Sequence, residues 1–290
     1  MLRMGSHCSL LRNELRLRNL AFAKAHNLAH VLSYGEPSIV VYEPSEEQSR
    51  HGNFENASYA AILARRAWRI RLEKIHTTAR RSLPASDRRW KELDSSMSSD
   101  ALLMNIFCHP KTVSAPFCAM LGVDYPSLPE FGFRARIPLN TGHTDRTEID
   151  MKIGSLLVEA KLTETNFQTQ KKEIVEAYHD LEAVFDRGRL PRTTSGDYVS
   201  YQLIRNVLAA HELNSSFCVL LDGRRPDLKD AWYEIMQCIV ETDLKTRCKV
   251  LTWQELAVLL PTRLRQFLDL KYGIVPPGRT ASRTWEEEAV

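Results

Sequence analysis

The chain has 290 residues, of which 43% are hydrophobic and 26% charged, with a formal net charge of +3. Such values describe an ordinary globular chain, long enough to bury one large core or two small ones. The sequence contains no run of 18 apolar residues, so no membrane-spanning helix is expected; the first residues lack the apolar core of a signal peptide, and six cysteines without a Cys-x-x-Cys pair suit reduced thiols in a cytoplasm better than a disulfide framework.

In chain order, residues 10–32 read as a helical stretch, followed by a short strand at 38–42 and a polar connection. A long basic helix is expected over about 56–81. Leu63, Ala67, Ile70 or Trp68, Leu72 and Ile75 recur at helical spacing, which puts Arg65, Arg66, Arg69, Arg71 and Lys74 on the outer face, with Arg80, Arg81, Arg88, Arg89 and Lys91 beyond. That face can track phosphates in a salt-sensitive, largely sequence-blind way, or it is simply solvated. Pro84 ends the segment. Ser98 and Ser99 supply an N-cap ahead of a helix over 100–107. The proline-rich stretch 108–138 reads as a loop closing with a strand at 131–137, and a hairpin comes next. After it the pattern gives a helix at 171–185, a loop at 187–196, and a helix at 198–213 capped by Asp197. A buried strand at 217–221, a helix at 228–240, a strand at 249–252 and a last helix at 253–272 complete the order. Residues 274–290 read as a disordered tail. There is no internal repeat.

The hairpin, residues 147–161, carries the chemistry. Side chains alternate along a strand, so Glu148 and Asp150 share one face while Ile149 and Met151 take the other. Beyond a Gly154-Ser155 turn, Glu159 and Lys161 again share a face. Leu156, Leu157 and Val158 form an apolar run that ends directly in charge, and charges at the end of a buried strand need partners or a metal. Two carboxylates and an ammonium gathered there could hold a hard divalent cation. Mg²⁺ uses one or two protein carboxylates plus waters and substrate phosphate, and Mn²⁺ can stand in for it. The Ala160 carbonyl is a further oxygen donor. Lys161 could orient a water, or take its proton if the site lowered its pKa. The bland reading is that Glu159 and Lys161 cap an ordinary exposed strand.

Asp150, eight intervening residues, then Glu159-Ala160-Lys161 resembles the Asp…(Asp/Glu)-x-Lys signature of the PD-(D/E)XK, or restriction-endonuclease-like, nuclease superfamily. The order helix, three strands, helix, strand, helix, strand from about residue 98 onward resembles the core of the same superfamily. Residues 98–107 also resemble the corresponding helix of bacterial restriction endonucleases. The resemblance implies an α/β fold with a mixed central sheet flanked by helices, order α-β-β-β-α-β-α-β. It also implies Mg²⁺-dependent hydrolysis of DNA leaving a 5′-phosphate, and roles in restriction, phage defence or repair. It makes Asp150 and Glu159 metal ligands, Lys161 the residue that positions water, and Asp100 a candidate further ligand. As a plain reading, Asp100 stabilises a helix N-terminus. The segment Tyr201-Gln-Leu-Ile-Arg-Asn206 resembles the Gln-bearing motif of the RecB-like and exonuclease branches. Gln202 and Arg205 lie three apart on one helix face and would contact the phosphate or a bound water. Position 206 is asparagine where those branches place tyrosine, which argues against exonuclease-like action.

The expected organisation is therefore a mainly helical, basic extension at 1–95, able to contact DNA, a nuclease domain at 96–273 and the tail. Double-strand cutting would favour a homodimer, and translocation along DNA would need a separate motor subunit of a defence or repair system. Two other function classes compete: a DNA-binding or scaffold protein that keeps the fold without turnover, and a zinc-stabilised interaction module. For zinc, His26 and His30 sit four apart on the expected first helix, and Cys108-His109 with Cys118 could begin a site. No nucleophile elbow, phosphate-binding Gly-rich loop or dinucleotide fingerprint is present.

Overall fold

The computed structural model describes residues 6–33, 37–45, 47, 49–75 and 91–282. The chain divides into two units, Met1–Cys118 with Trp253–Val290, and Ala119–Thr252.

The unit built from residues 119–252 holds a five-stranded sheet. In chain order its strands are β3 (Glu130–Arg134), β4 (Glu148–Ile153), β5 (Leu156–Ala160), β6 (Ser216–Leu221) and β7 (Cys248–Thr252), arranged β7-β6-β5-β4-β3 in space. β3, β4 and β5 run antiparallel, whereas β5, β6 and β7 run parallel. The parallel strands need crossovers. Tyr201–Glu212 (α5) supplies the first, and Pro226–Cys238 (α6) with Thr242–Arg247 (α7) the second. β5 is buried along its whole length, as a central strand covered on both faces must be. Leu157, Phe217 and Val219 pack with Ile204, Val207, Leu208, Trp232 and Ile235 of the covering helices in one core. The fold is α/β with a mixed central sheet flanked by helices, and the helix, three strands, helix, strand, helix, strand order holds from Ser99–Phe107 (α3) onward.

The other unit is mainly helical. It contains α1 (His7–Ala25), the short antiparallel pair β1 (His30–Leu32) and β2 (Val40–Tyr42), α2 (Asn56–Ala64), α3 and α8 (Thr262–Tyr272). Lys271 of α8 is fully buried. Its ammonium nitrogen lies 3.6 Å from the Tyr42 ring centre, with Phe22, Tyr272 and Phe267 next nearest, and donates to the Gly52 carbonyl at 3.0 Å.

Several expected elements differ, each for a local reason. The first helix stops at Ala25, so His26 and His30 are not a helical pair; each ring bonds a nearby carbonyl instead, of Phe22 and Leu28. The basic helix breaks at Arg65, which is extended (φ −111°, ψ 115°), and resumes as a turn at Arg66–Arg69 and a 3-10 turn at Ile70–Glu73. An unbroken helix burying Tyr59 and Ile62 would carry Arg66 and Arg69 toward the same face. The break rephases the chain, so Trp68 is buried and Arg66 and Arg69 are exposed. The rest of that expected helix, with Arg80, Arg81, Pro84, Arg88 and Arg89, lies outside the described residues.

Within the expected loop 108–138, Ala115–Leu121 is helical (α4). The expected helix 171–185 reduces to Lys172–Val175 and Leu181–Val184. The backbone between them bonds instead to the chain at 138–140, with Asn140 N donating to Ala177 O and His179 N to Pro138 O. Tyr198–Val199 pairs with Thr169–Gln170 as a strand, and α5 begins only at Tyr201, after Ser200 in the left-handed region (φ 59°). The last helix is split ahead of Pro261, which lacks an N–H and holds Leu260 extended (ψ 150°). Residues 274–282 are tied down, Ser282 donating through N and Oγ to the Asp269 carboxylate at 2.8 and 2.7 Å. Residues 283–290 of the expected tail lie outside the described residues.

Candidate active site

β4 and β5 are joined through Gly154-Ser155, with Gly154 at φ +56° and Ile153 paired to Leu156. The ladder ends at the Met151–Val158 pair. One residue further, Asp150 replaces it with its side chain: Oδ2 accepts the Ala160 N–H at 2.8 Å. In an extended strand a residue's N–H and C=O leave on the same side. The Ala160 carbonyl is therefore turned toward Asp150, where β4 no longer pairs, while the next amide, Lys161 N, donates to Leu220 O of β6 at 2.8 Å. The splitting of two strands thus collects a carboxylate and a carbonyl at one opening in the sheet.

Glu159 and Lys161, 1% and 4% exposed, are far from being caps on an exposed strand. The Lys161 ammonium donates to Glu159 Oε1 at 2.6 Å and sits 5.6 Å from the Phe167 ring centre. Burial alone would lower the Lys161 pKa. Glu159, Glu164 and Asp150 outweigh it, so the amine is held above its ordinary value and stays charged. In this state Lys161 donates hydrogen bonds and does not accept protons. Glu164 lies beyond the strand, and no sequence pattern marks it as part of this cluster. Its position is set by the fully buried Arg225, whose guanidinium clamps the Glu164 and Thr165 carbonyls at 2.8 and 3.3 Å.

α5 brings a second unforeseen residue. Asn206 Nδ2 donates to Glu159 Oε2 at 2.6 Å, and Asn206 Oδ1 accepts from Arg205 Nε and Nη2 at 3.0 and 2.9 Å. Arg205, 3% exposed, also reaches the Glu148 carbonyl at 3.1 Å. Its expected partner was a phosphate, but the guanidinium is engaged inside the protein. Gln202 lies on the same helix, partly exposed, and makes no side-chain hydrogen bond among the described residues.

Asp150, Glu159, Ala160 and Lys161 are thus brought together, with Asn206 and Arg205 behind them. The donors are hard oxygens, two carboxylates and a carbonyl, which fits a Mg²⁺ ion that completes its shell with water and phosphate. It does not fit a closed protein cage, and among the described residues no three His, Cys, Asp or Glu side chains form one. Asp100, in the other unit, has its carboxylate occupied: Lys74 Nζ lies 2.6 Å and Arg71 Nη2 3.2 Å from Oδ2. This explains why the Arg71 and Lys74 side chains are largely buried, whereas Arg66 and Arg69 are exposed without an ion pair among the described residues and Arg65 lies over the Trp68 ring at 4.9 Å. Cys108 and Cys118 are buried, and burial pushes both thiols up.

Among the described residues no helix is long and apolar enough to cross a membrane. A family model described as Restriction Endonuclease associating with ARP (REase-ARP) matches residues 24–273. Neither the curated proteins nor the solved structures contain a match to the chain.

Proposed function

Since the chain belongs to the REase-ARP family of restriction-endonuclease-like proteins, we propose that it is a Mg²⁺-dependent DNA endonuclease whose reaction centre is the opening between β4 and β5. The observation that carries this reading is the buried Lys161–Glu159 pair beside Asp150, because desolvating two charges at a strand end is costly and such arrangements concentrate at reaction centres. Asp150, Glu159 and the Ala160 carbonyl would hold the cation, with Mn²⁺ as a substitute. When bound, Mg²⁺ supplies charge stabilisation at the phosphoryl oxygens and a more acidic water. The chain's own share is orientation. Lys161, held protonated, donates to the attacking water and fixes its approach. Desolvation at the buried end of β5 strengthens each of these interactions.

Arg65, Arg66 and Arg69 are proposed phosphate partners, while Arg71 and Lys74 are bound to Asp100 and serve the fold. The family description makes ARP the expected associate, and restriction or phage defence the expected setting.

The test is cleavage of supercoiled plasmid, linear duplex and single-stranded DNA with Mg²⁺ or Mn²⁺, with wild type beside Asp150→Ala and Lys161→Ala. Metal-dependent cutting lost in both variants supports the reading. Equal cutting in all three refutes the site, and salt-sensitive binding without cutting points to the catalytically silent DNA-binding protein. In the binding assay, Arg66→Ala with Arg69→Ala should lower the slope of log K against log salt by about 0.9 for each phosphate no longer neutralised.

A further inference from the structure

We infer that Asn206 is the positioning residue for the metal-binding carboxylate Glu159, and that Arg205 fixes the orientation of its amide. This rests on the reading of Asp150 and Glu159 as a metal site. A carboxylate only accepts hydrogen bonds and a guanidinium only donates them. An amide lying between the two has one orientation that satisfies both, with Nδ2 toward Glu159 Oε2 (2.6 Å) and Oδ1 toward Arg205 Nε and Nη2 (3.0 and 2.9 Å). Turned over, it would set oxygen against oxygen and N–H against N–H. Arg205 is itself anchored on the Glu148 carbonyl at 3.1 Å, so the chain of hydrogen bonds runs from the backbone of β4, through α5, to the side chain of β5.

Among the described residues the two oxygens of Glu159 have two hydrogen-bond partners, Lys161 on Oε1 and Asn206 on Oε2. The partners differ in kind. Lys161 sits at the end of a flexible four-carbon stem, and Asn206 is short, fully buried and braced by Arg205. An incoming cation competes directly with the ammonium for the carboxylate. The neutral amide does not repel a cation and can stay in place. Asn206 therefore keeps Glu159 pointed at the opening while Lys161 adjusts, which is how hydrogen-bonded outer groups tune metal ligands elsewhere.

The experiment is Mn²⁺ binding to the full chain, without DNA, by calorimetry and by electron paramagnetic resonance of free Mn²⁺, with thermal melting in parallel. The proteins are wild type, Glu159→Gln, Asn206→Leu (similar in shape, with no donor) and Arg205→Met. Asn206→Leu is expected to weaken Mn²⁺ binding by about 10–100-fold, and Arg205→Met to weaken it by less. If Glu159→Gln loses the ion while Asn206→Leu binds as wild type does, the positioning role is wrong and the metal site stands. If wild type and Glu159→Gln bind alike, the metal site itself is wrong and this inference falls with it. Should Asn206→Leu melt early, the ratio of Kd values well below its melting point decides: an unchanged Kd makes Asn206 structural only and overturns the inference.

Discussion

Two buried lysines show how differently one side chain can be housed. Lys161, at the end of β5, is surrounded by carboxylates that hold its pKa above the ordinary value despite burial. Lys271, in the helical unit, lies among aromatic rings with one carbonyl and no ion pair among the described residues, and burial pushes its pKa well below the ordinary value. The first is a charge retained at the cost of desolvation; in the second, desolvation works against the charged form with no ion pair among the described residues to offset it. Burial of a lysine is therefore no guide to a reaction centre unless its partners are named.

The sharpest way to break this contrast is Lys161→Met. The substitution leaves the buried Glu159 carboxylate without its cation, which should cost about 3–5 kcal/mol of stability, and should slow metal-dependent cleavage by about 100-fold or more through loss of water positioning. A stable variant that cuts like wild type would place Lys161 in the same class as Lys271. Next in size is Gly52→Ala. A Cβ at that position would run into Tyr42 Cδ1, so the ring covering Lys271 must move, at a cost of about 1–3 kcal/mol seen as a lower melting temperature. An unchanged melting temperature would mean that the aromatic box is loose.

The smallest effect, taken per unit of pH, comes from titration. The folded pKa of Lys271 is depressed, so its contribution is fully present above the unfolded value of about 10.4 and is lost as pH falls toward the folded value. In that window the unfolded chain binds a proton the folded chain does not, and stability rises with pH by up to about 1.4 kcal/mol per unit. Urea unfolding of wild type and Lys271→Met between pH 7.5 and 9.5 should show the variant's advantage shrinking, or its deficit growing, as pH rises. For Lys161 the sign reverses: its folded pKa is raised, so its contribution is present below about 10.4 and lost as pH climbs through the folded value. The stability deficit of Lys161→Met should accordingly stay flat up to about pH 10. Parallel behaviour of the two variants would show that the environments are not opposed.

What could be read from the sequence was whatever period and end-signals write locally. The alternation of Glu148, Asp150 and Lys152 with Ile149, Met151 and Ile153 is reproduced residue by residue in the burial of β4, and the apolar runs at 156–158 and 217–221 became the parallel centre of the sheet. Helices failed where tertiary packing overrides period: Arg65 breaks a regular pattern to bury Trp68, and the chain at 177–179 bonds to residues 138–140. Pro261 was a visible break that the apolar periodicity around it masked. At the site, Asp150, Glu159 and Lys161 are close in sequence and so were legible. Asn206 reaches Glu159 across 47 residues; position 206 stands out in the sequence only as an asparagine in place of the motif's tyrosine, which says nothing of a carboxylate partner.

The two-residue turn at Gly154-Ser155 ties the proposed reaction centre to the core by parity. Since faces alternate with every residue, lengthening or shortening that turn by one would rotate Asp150 inward and deliver Met151 to the opening. The same slip would strip Ile149 and Ile153 from the interior. Gly154 adds a spatial limit, because a Cβ there would press on Val123 at 3.0 Å. Changes in hairpin length therefore have no graded series of outcomes: a library of turn variants should divide into members that both fold and cut and members that do neither.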